Sequence, residues 1–416
     1  MTSLQPAMSR AAFWLAGGST VAILFSIAAS QILLGLALAS LLLSGARLRL
    51  PPIRLPLALF IAGTIVSLLL SGDPTGGLPQ IRKFFVFVTL LVVYSAFREL
   101  ADVRRLVLCW AGAAAVVSAR GLVQFVEKYR EAQFAGRNFY EYYVGERITG
   151  FMSHWMTFGG QLMIVFVLLA AFLFFSPSAR RKLLWFGLLC FALVAASILL
   201  GFTRSIWLAT GGAAVYLVWC WRKLLLLALP MLLAAGIWLV PGVRTRFVSM
   251  FEPRKDVDSN QQRIVCWRTG WQMIKAHPWF GVGPEQVKVQ FDSYVPPDIP
   301  RPLPTGWYGH LHNIYIQYAA ERGVPTMLFM VWLLVKILFD FLRAVRRLPP
   351  GPGEAKFLLQ GGVAVVIAIM LAGVFEMNLG DSEVLTLFLA AVACAYAAWD
   401  QAVAAAAAPA PPPPAI

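Results

Sequence analysis

Apolar stretches of roughly 17–22 residues, the length that crosses a bilayer as a helix, recur from one end of the chain to the other. Short polar interruptions separate them. The pattern predicts spans over residues 11–28, 30–45, 54–71, 82–97, 104–124, 159–176, 183–200, 205–221, 224–241, 313–342, 358–376 and 384–399. A bilayer admits only elements whose backbone groups are satisfied internally. The expected fold is therefore an all-α polytopic membrane protein of about twelve transmembrane helices.

Clustered Arg and Lys mark every second connection: "RLRLPPIR" (47–54), "RELADVRR" (98–105), "SARRK" (178–182), residues 221–223 and "RAVRR" (343–347). The alternate connections, "SGDPTGGLPQ", "GFTR" and "EMNLGDSE", are poor in positive charge. By the positive-inside rule both termini are cytoplasmic. Residues 1–240 then hold helices 1–9, with a smaller periplasmic loop near 127–158. Residues 241–312 form a large periplasmic loop, 313–399 hold helices 10–12, and the Pro/Ala-rich 400–416 reads as a disordered cytoplasmic tail.

Composition agrees: 59% of the 416 residues are hydrophobic and 13% charged, with mean hydropathy +0.71. The net charge of +15 is accounted for largely by the inner loops, so no nucleic-acid partner is implied. Five cysteines, mostly in apolar runs, suggest neither a disulfide framework nor a metal site. Asp256-Val257-Asp258 stands in a polar loop without His or Cys neighbours, and no metal is expected.

The 241–312 segment has its own grammar. Ser259 with Gln262 three residues on is a capping box, which predicts a helix from Asn260 to Ala276, ending near His277-Pro278. Arg263, Trp267 and Trp271 recur every four residues and share a face, which suits a helix lying on a membrane surface. In "GHLHNIYIQYAAERG" (309–323) a short helix is expected from Leu311 to Arg322. Gly323 reads as its C-terminal cap and Pro325 as the start of the next helix, so the late span should kink or break there.

Polar residues at a membrane's edge are functional candidates because burying them is costly. On this topology they collect on the outer side: Arg147 and His154 in "GERITGFMSHWM", Arg204 in "GFTRS", Arg263, His310 and His312, and Glu376, Asp381 and Glu383 in "FEMNLGDSE". Each also has a structural reading. Arg204 fits an interfacial anchor, Glu383 a helix N-terminal charge and His154 a satisfied structural histidine. Arginine grips phosphate and histidine can take a proton from a hydroxyl. Together they suggest displacement of a lipid-linked phosphate by a hydroxyl.

"RTGWQMIKAHPWFGVG" (268–283) and "HLHNIYIQYAAERG" (310–323) resemble the O-antigen ligase and polymerase superfamily of bacterial envelope proteins. "GFTRS", "RITGFMSH" and "NLGDSE" add to the likeness. The ligase pattern of His-Asn, nine residues, Gly, two residues, Gly is met by His312-Asn313 and Gly323; position 326 is Thr326 rather than glycine. The resemblance implies a GT-C-like, metal-independent, inverting glycosyltransferase of the bacterial inner membrane, with its site facing the periplasm and no cofactor. Its donor would be a polysaccharide on undecaprenyl diphosphate, and its acceptor a sugar hydroxyl of lipid A–core. By position His312 carries over as the catalytic base. Arg204 and Arg263, with Arg147, Asn313, His154, Glu383 and Asp381, carry over as substrate-binding residues. O-antigen polymerase and protein O-oligosaccharyltransferase remain alternatives, and the oligomeric state stays open. A transporter of lipid-linked sugar predicts charges near the midplane and paired broken helices; here the charges lie at one end.

Overall fold

The computed structural model describes residues 4–228, 231, 234, 238, 241–249 and 260–407. Among them there is no strand. The helices are α1 (Leu4–Ala22), α2 (Ile27–Leu43), α3 (Arg54–Leu70), α4 (Pro74–Arg82), α5 (Val88–Ala96), α6 (Leu100–Phe134), α7 (Phe139–Gly145), α8 (Trp155–Phe175), α9 (Arg181–Leu200) and α10 (Arg204–Arg222), followed by α11 (Pro241–Val248), α12 (Asn260–Ala276), α13 (Val287–Gln290), α14 (Ile314–Arg347), α15 (Glu354–Gly373) and α16 (Ser382–Ala407). A 3-10 turn, Lys83–Phe87, joins α4 to α5.

Seven helical stretches among the described residues are long and apolar enough to cross a membrane. The chain is a polytopic helical membrane protein. The expected spans 30–45 and 54–71 appear as α2 and α3, apolar helices just short of that length. Most of 224–241 lies outside the described residues. The last helix runs on to Ala407 rather than ending at 399, because the alanines that follow are the best helix formers.

Burial sorts the helices into layers. The most apolar windows of α8 and α16 are 83% buried and that of α15 is 72%, against 28% for α9 and 11% for the stretch containing α10. The centre is built by close approach: a Cβ on Gly362 of α15 would stand 2.7 Å from Ala395 Cβ of α16. Small residues at such crossings let backbones touch, which is what holds helices together in lipid.

The expected break in α14 is present. Gly323 has φ 81° and ψ 159° inside an otherwise continuous helix. The "HPWFGVG" loop is stitched to it: Val324 N–H donates to Pro278 O (2.8 Å), Val282 N–H to Ala320 O (2.8 Å) and Gly283 N–H to Glu321 O (2.9 Å). The Ser67 hydroxyl of α3 donates to the carbonyls of Phe280 and Glu321. A Cβ at Gly323 would lie 2.0 Å from Trp279 O, a backbone atom that cannot swing away. Gly323→Ala is therefore expected to destabilise by on the order of 3 kcal/mol, the left-handed penalty plus overpacking. A thermal melt in detergent within one degree of wild type would show that the loop yields.

Candidate active site

The loops at one end of the bundle converge on Glu376, which follows α15 and is 6% exposed. The Arg263 guanidinium, on the first turn of α12, is ion-paired to Glu376 Oε1. His312 Nδ1 lies 3.6 Å from Glu376 Oε2. Burial alone would raise this carboxyl. Arg263 beside it, with His312 and His310, instead pulls it down to about 2, so it is a carboxylate at any physiological pH.

Local sequence explains how His312 is held. Asn313 is the N-cap of α14: its side-chain oxygen accepts from the N–H groups of Tyr315 and Ile316 (both 2.9 Å). Its amide donates to Val374 O at 2.9 Å, which ties the start of α14 to the end of α15. The residue before it, His312, takes φ 50°, a left-handed conformation rare for a side chain of this size. Such strain persists only where the surroundings enforce it. Here they do: His312 N–H donates to His310 Nδ1 (3.1 Å) and Leu311 N–H to the Gln317 side chain (2.7 Å). His312 Nε2 faces Trp307 O at 3.4 Å and the Gln262 amide at 3.5 Å.

His310 is thus not a loose, solvated residue. Its ring packs 4.1 Å from that of His312 and 4.8 Å from Trp307. Burial, with His312 adjacent, lowers its pKa to about 3. A histidine depressed in the fold ionises more readily when unfolded, so its burial favours the native state less as pH falls from about 6.5 toward 3. A melting temperature that declines across pH 7 to 5, with the slope reduced in His310→Phe, is the expected result. Identical slopes would remove His310 from this account.

The remaining basic groups stand around this centre. Arg204, the first residue of α10 and 9% exposed, donates to Ser249 O (3.0 Å) and Asn260 Oδ1 (2.6 Å). Arg246 of α11, 2% exposed, donates to Phe202 O and the Tyr140 hydroxyl. Arg147 donates to Val144 O (3.0 Å) and lies 5.0 Å over the Trp155 ring. Burial and the nearby charge of Arg246, then of Arg263 and Arg204, lower Arg147 to about 9, still protonated at neutral pH. Arg147 thus stands within electrostatic reach of Arg246, Arg263, Arg204 and Glu376.

Several residues are placed differently from the sequence-based expectation. Asn313 has both halves of its amide hydrogen-bonded to the backbone. His154 is the N-cap of α8, its Nδ1 accepting from Met156 N–H (3.2 Å), although it lies close enough to feel Glu376, Arg147 and His312. Asp381 accepts from the Thr157 hydroxyl (2.8 Å) and burial raises its pKa; with Glu383, on the first turn of α16, it lies on the Lys83 side rather than against His312. The carboxylate at the centre is Glu376. Gln262, expected to close a capping box, turns its amide to Trp307 O and His312; Ser259 lies outside the described residues. Arg263 and Trp267 face the loop after α15, the Trp267 ring 6.3 Å from Phe375. Only Trp271, 56% exposed, keeps the open face expected for all three. Arg246 was not foreseen, since "VRTRFVSM" carries no periodic or spacing signal.

Among the described residues no group of three or more His, Cys, Asp or Glu could hold a metal ion; Asp256 and Asp258 lie outside them. Among curated proteins none matches the chain. A family model described as O-Antigen ligase matches residues 189–331, a stretch that begins in α9 and ends beyond the break in α14. It takes in Arg204, Arg246, Arg263 and His312, three of these four arginines together with the strained histidine. Over that third of its length the chain is similar to the O-antigen ligase family.

Proposed function

We propose that this chain is an O-antigen ligase, an inverting, metal-independent glycosyltransferase. The donor is a polysaccharide on undecaprenyl diphosphate and the acceptor a sugar hydroxyl of lipid A–core. The observation that carries this reading is the Glu376–His312 pair with Arg263 and Arg147 in electrostatic reach. Glu376 favours the tautomer with a proton on Nδ1, which leaves Nε2 as the base. Nε2 takes the proton of the acceptor hydroxyl as its oxygen bonds to the anomeric carbon. The bond from that carbon to the diphosphate breaks on the opposite face, and its electron pair leaves with the diphosphate. Arg204, Arg246, Arg263 and Arg147 stabilise the charge that develops there.

The site end faces the periplasm in this reading, and twelve spans leave both termini in the cytoplasm. The far end supports it: Arg47, Arg49, Arg98, Arg104, Arg346 and Arg347 cluster there, as the positive-inside rule requires. The test is reconstitution of the purified chain with a defined undecaprenyl-diphosphate glycan and excess EDTA. Transfer to lipid A–core is expected. Extension of a second lipid-linked glycan instead would make the chain a polymerase, and no product with either acceptor removes the reaction.

A further inference from the structure

The break in α14 divides that helix by polarity. Before Gly323 stand Asn313, Gln317, Glu321 and Arg322; from Val324 to Val335 no residue is charged. The hydrocarbon of a bilayer accepts the second kind of sequence and penalises the first. From Pro325 to Arg347 the helix rises roughly 34 Å, enough to cross an apolar core about 30 Å thick, and it ends on Arg346 and Arg347. Leu328 and Trp332 are exposed along this piece. The break thus falls at the hydrocarbon edge on the side of the candidate site.

The neighbouring helix α3 gives the same level independently. It starts at Arg54, and its 17 residues rise roughly 25 Å. Leu69 and Leu70 in its last turn are exposed, and in a polytopic membrane protein such a face meets lipid.

The His277–Gly283 loop joins these two helix ends. Its bonds to Ala320, Glu321 and Val324 fix it to the break, and the Ser67 hydroxyl, in the last turn of α3, donates to the Phe280 carbonyl at 2.7 Å. A Cβ on Gly283 would collide with Ser71, the residue after α3. The loop backbone is therefore committed to the protein, while two large rings are not: Trp279 is 70% exposed and Phe280 50%. Placed at the ends of two helices with open apolar faces, these rings continue the surface that lipid covers. An aromatic body, with one N–H donor in the case of tryptophan, suits the boundary between water and hydrocarbon.

We propose that Trp279 and Phe280 insert between the phospholipid headgroups and the upper acyl chains of the leaflet at the candidate site. The loop is the interaction surface and the phospholipid monolayer its partner. Through the loop's bonds to α14, this contact holds the break at the hydrocarbon edge and keeps the Ile314–Arg322 piece, with His312 just before it, clear of the hydrocarbon. The inference does not rest on the transfer reaction, so its test reads contact with lipid alone.

The full chain is placed in phosphatidylcholine nanodiscs carrying a trace of phospholipid with a diazirine either beside the glycerol ester or at the end of an acyl chain. Adducts are mapped by peptide mass spectrometry. Residues 277–283 are expected to be labelled more by the shallow probe than by the terminal one, since interfacial side chains sit about 5–10 Å deep. The stretch of α14 from Leu328 to Phe339 is expected to show the reverse preference. Trp279→Ser with Phe280→Ser is expected to lower the shallow labelling of the loop about tenfold, because apolar contact on this scale is worth at least that factor. The adducts on Leu328–Phe339 should persist in that variant, which shows that the chain is still inserted. Where the variant does not fold, the preference of the wild-type loop decides. A loop that neither probe labels overturns the proposal. So does a loop labelled more by the terminal probe, which puts it inside the hydrocarbon, and so does shallow labelling that an inserted double variant leaves unchanged.

Discussion

His312→Gln is expected to lower transfer by about 10²–10⁴-fold, the usual contribution of a positioned general base. Glutamine keeps a hydrogen-bonding side chain of similar reach but cannot take up a proton. The fold should survive, because the backbone contacts that hold position 312 are made by its N–H and by Asn313. His312→Asn is the sharper control, since asparagine accepts the left-handed conformation at φ 50° more readily than most residues. Both variants are assayed in proteoliposomes at matched protein levels, with melting temperatures recorded beside the rates. A His312→Gln enzyme retaining a third of wild-type turnover would leave histidine an orienting role only.

Glu376→Gln is expected to be nearly as damaging, by a different route. The substitution keeps shape and removes charge. On the proposed reaction His312 would lose the carboxylate that orients Nδ1 and stabilises the imidazolium formed during transfer, while Arg263 loses its ion-pair partner. Each charge-assisted contact contributes about 1.5–3 kcal/mol, so turnover should fall on the order of 10²–10⁴-fold. Breaking a buried pair also destabilises, by about 3–5 kcal/mol. The two losses are separable. On the proposed reaction a freed Arg263 would bind the donor diphosphate at least as well, so donor affinity should hold or rise while kcat collapses. Pairing Glu376→Gln with Arg263→Gln in a double-mutant cycle should give a coupling of about 1–3 kcal/mol. Near-normal kcat in Glu376→Gln would return the central role to Asp381 or Glu383.

Much of this was legible in the chain because a bilayer simplifies the rules. Lipid forces helices, so apolar runs alone gave the class of fold and most helix positions. The α12 boundaries and the break at Gly323 followed from local chemistry that needs no tertiary partner: a proline stop, a residue able to adopt positive φ, and a proline that cannot continue a helix. The gathering of Arg147, Arg204, Arg263 and His312 at one end was also readable, since ionisable groups avoid the apolar interior and collect where the spans end.

Other features were settled only by packing. Glu376, Asp381 and Glu383 sit within eight positions of one another, and composition treats them alike; the path of the chain leaving α15 puts only Glu376 between Arg263 and His312. Asn313 looks like a ligand-binding amide in a motif, yet its use as a cap depends on where α14 begins and on Val374 lying beside it. Arg246 has no signal in its neighbours, because its partners Phe202 and Tyr140 come from distant segments. Sequence determined what each segment could become, through short-range sterics and hydrophobic periodicity. Which side chains meet was decided by helix crossing and loop direction, which are sums over contacts between residues far apart in the chain.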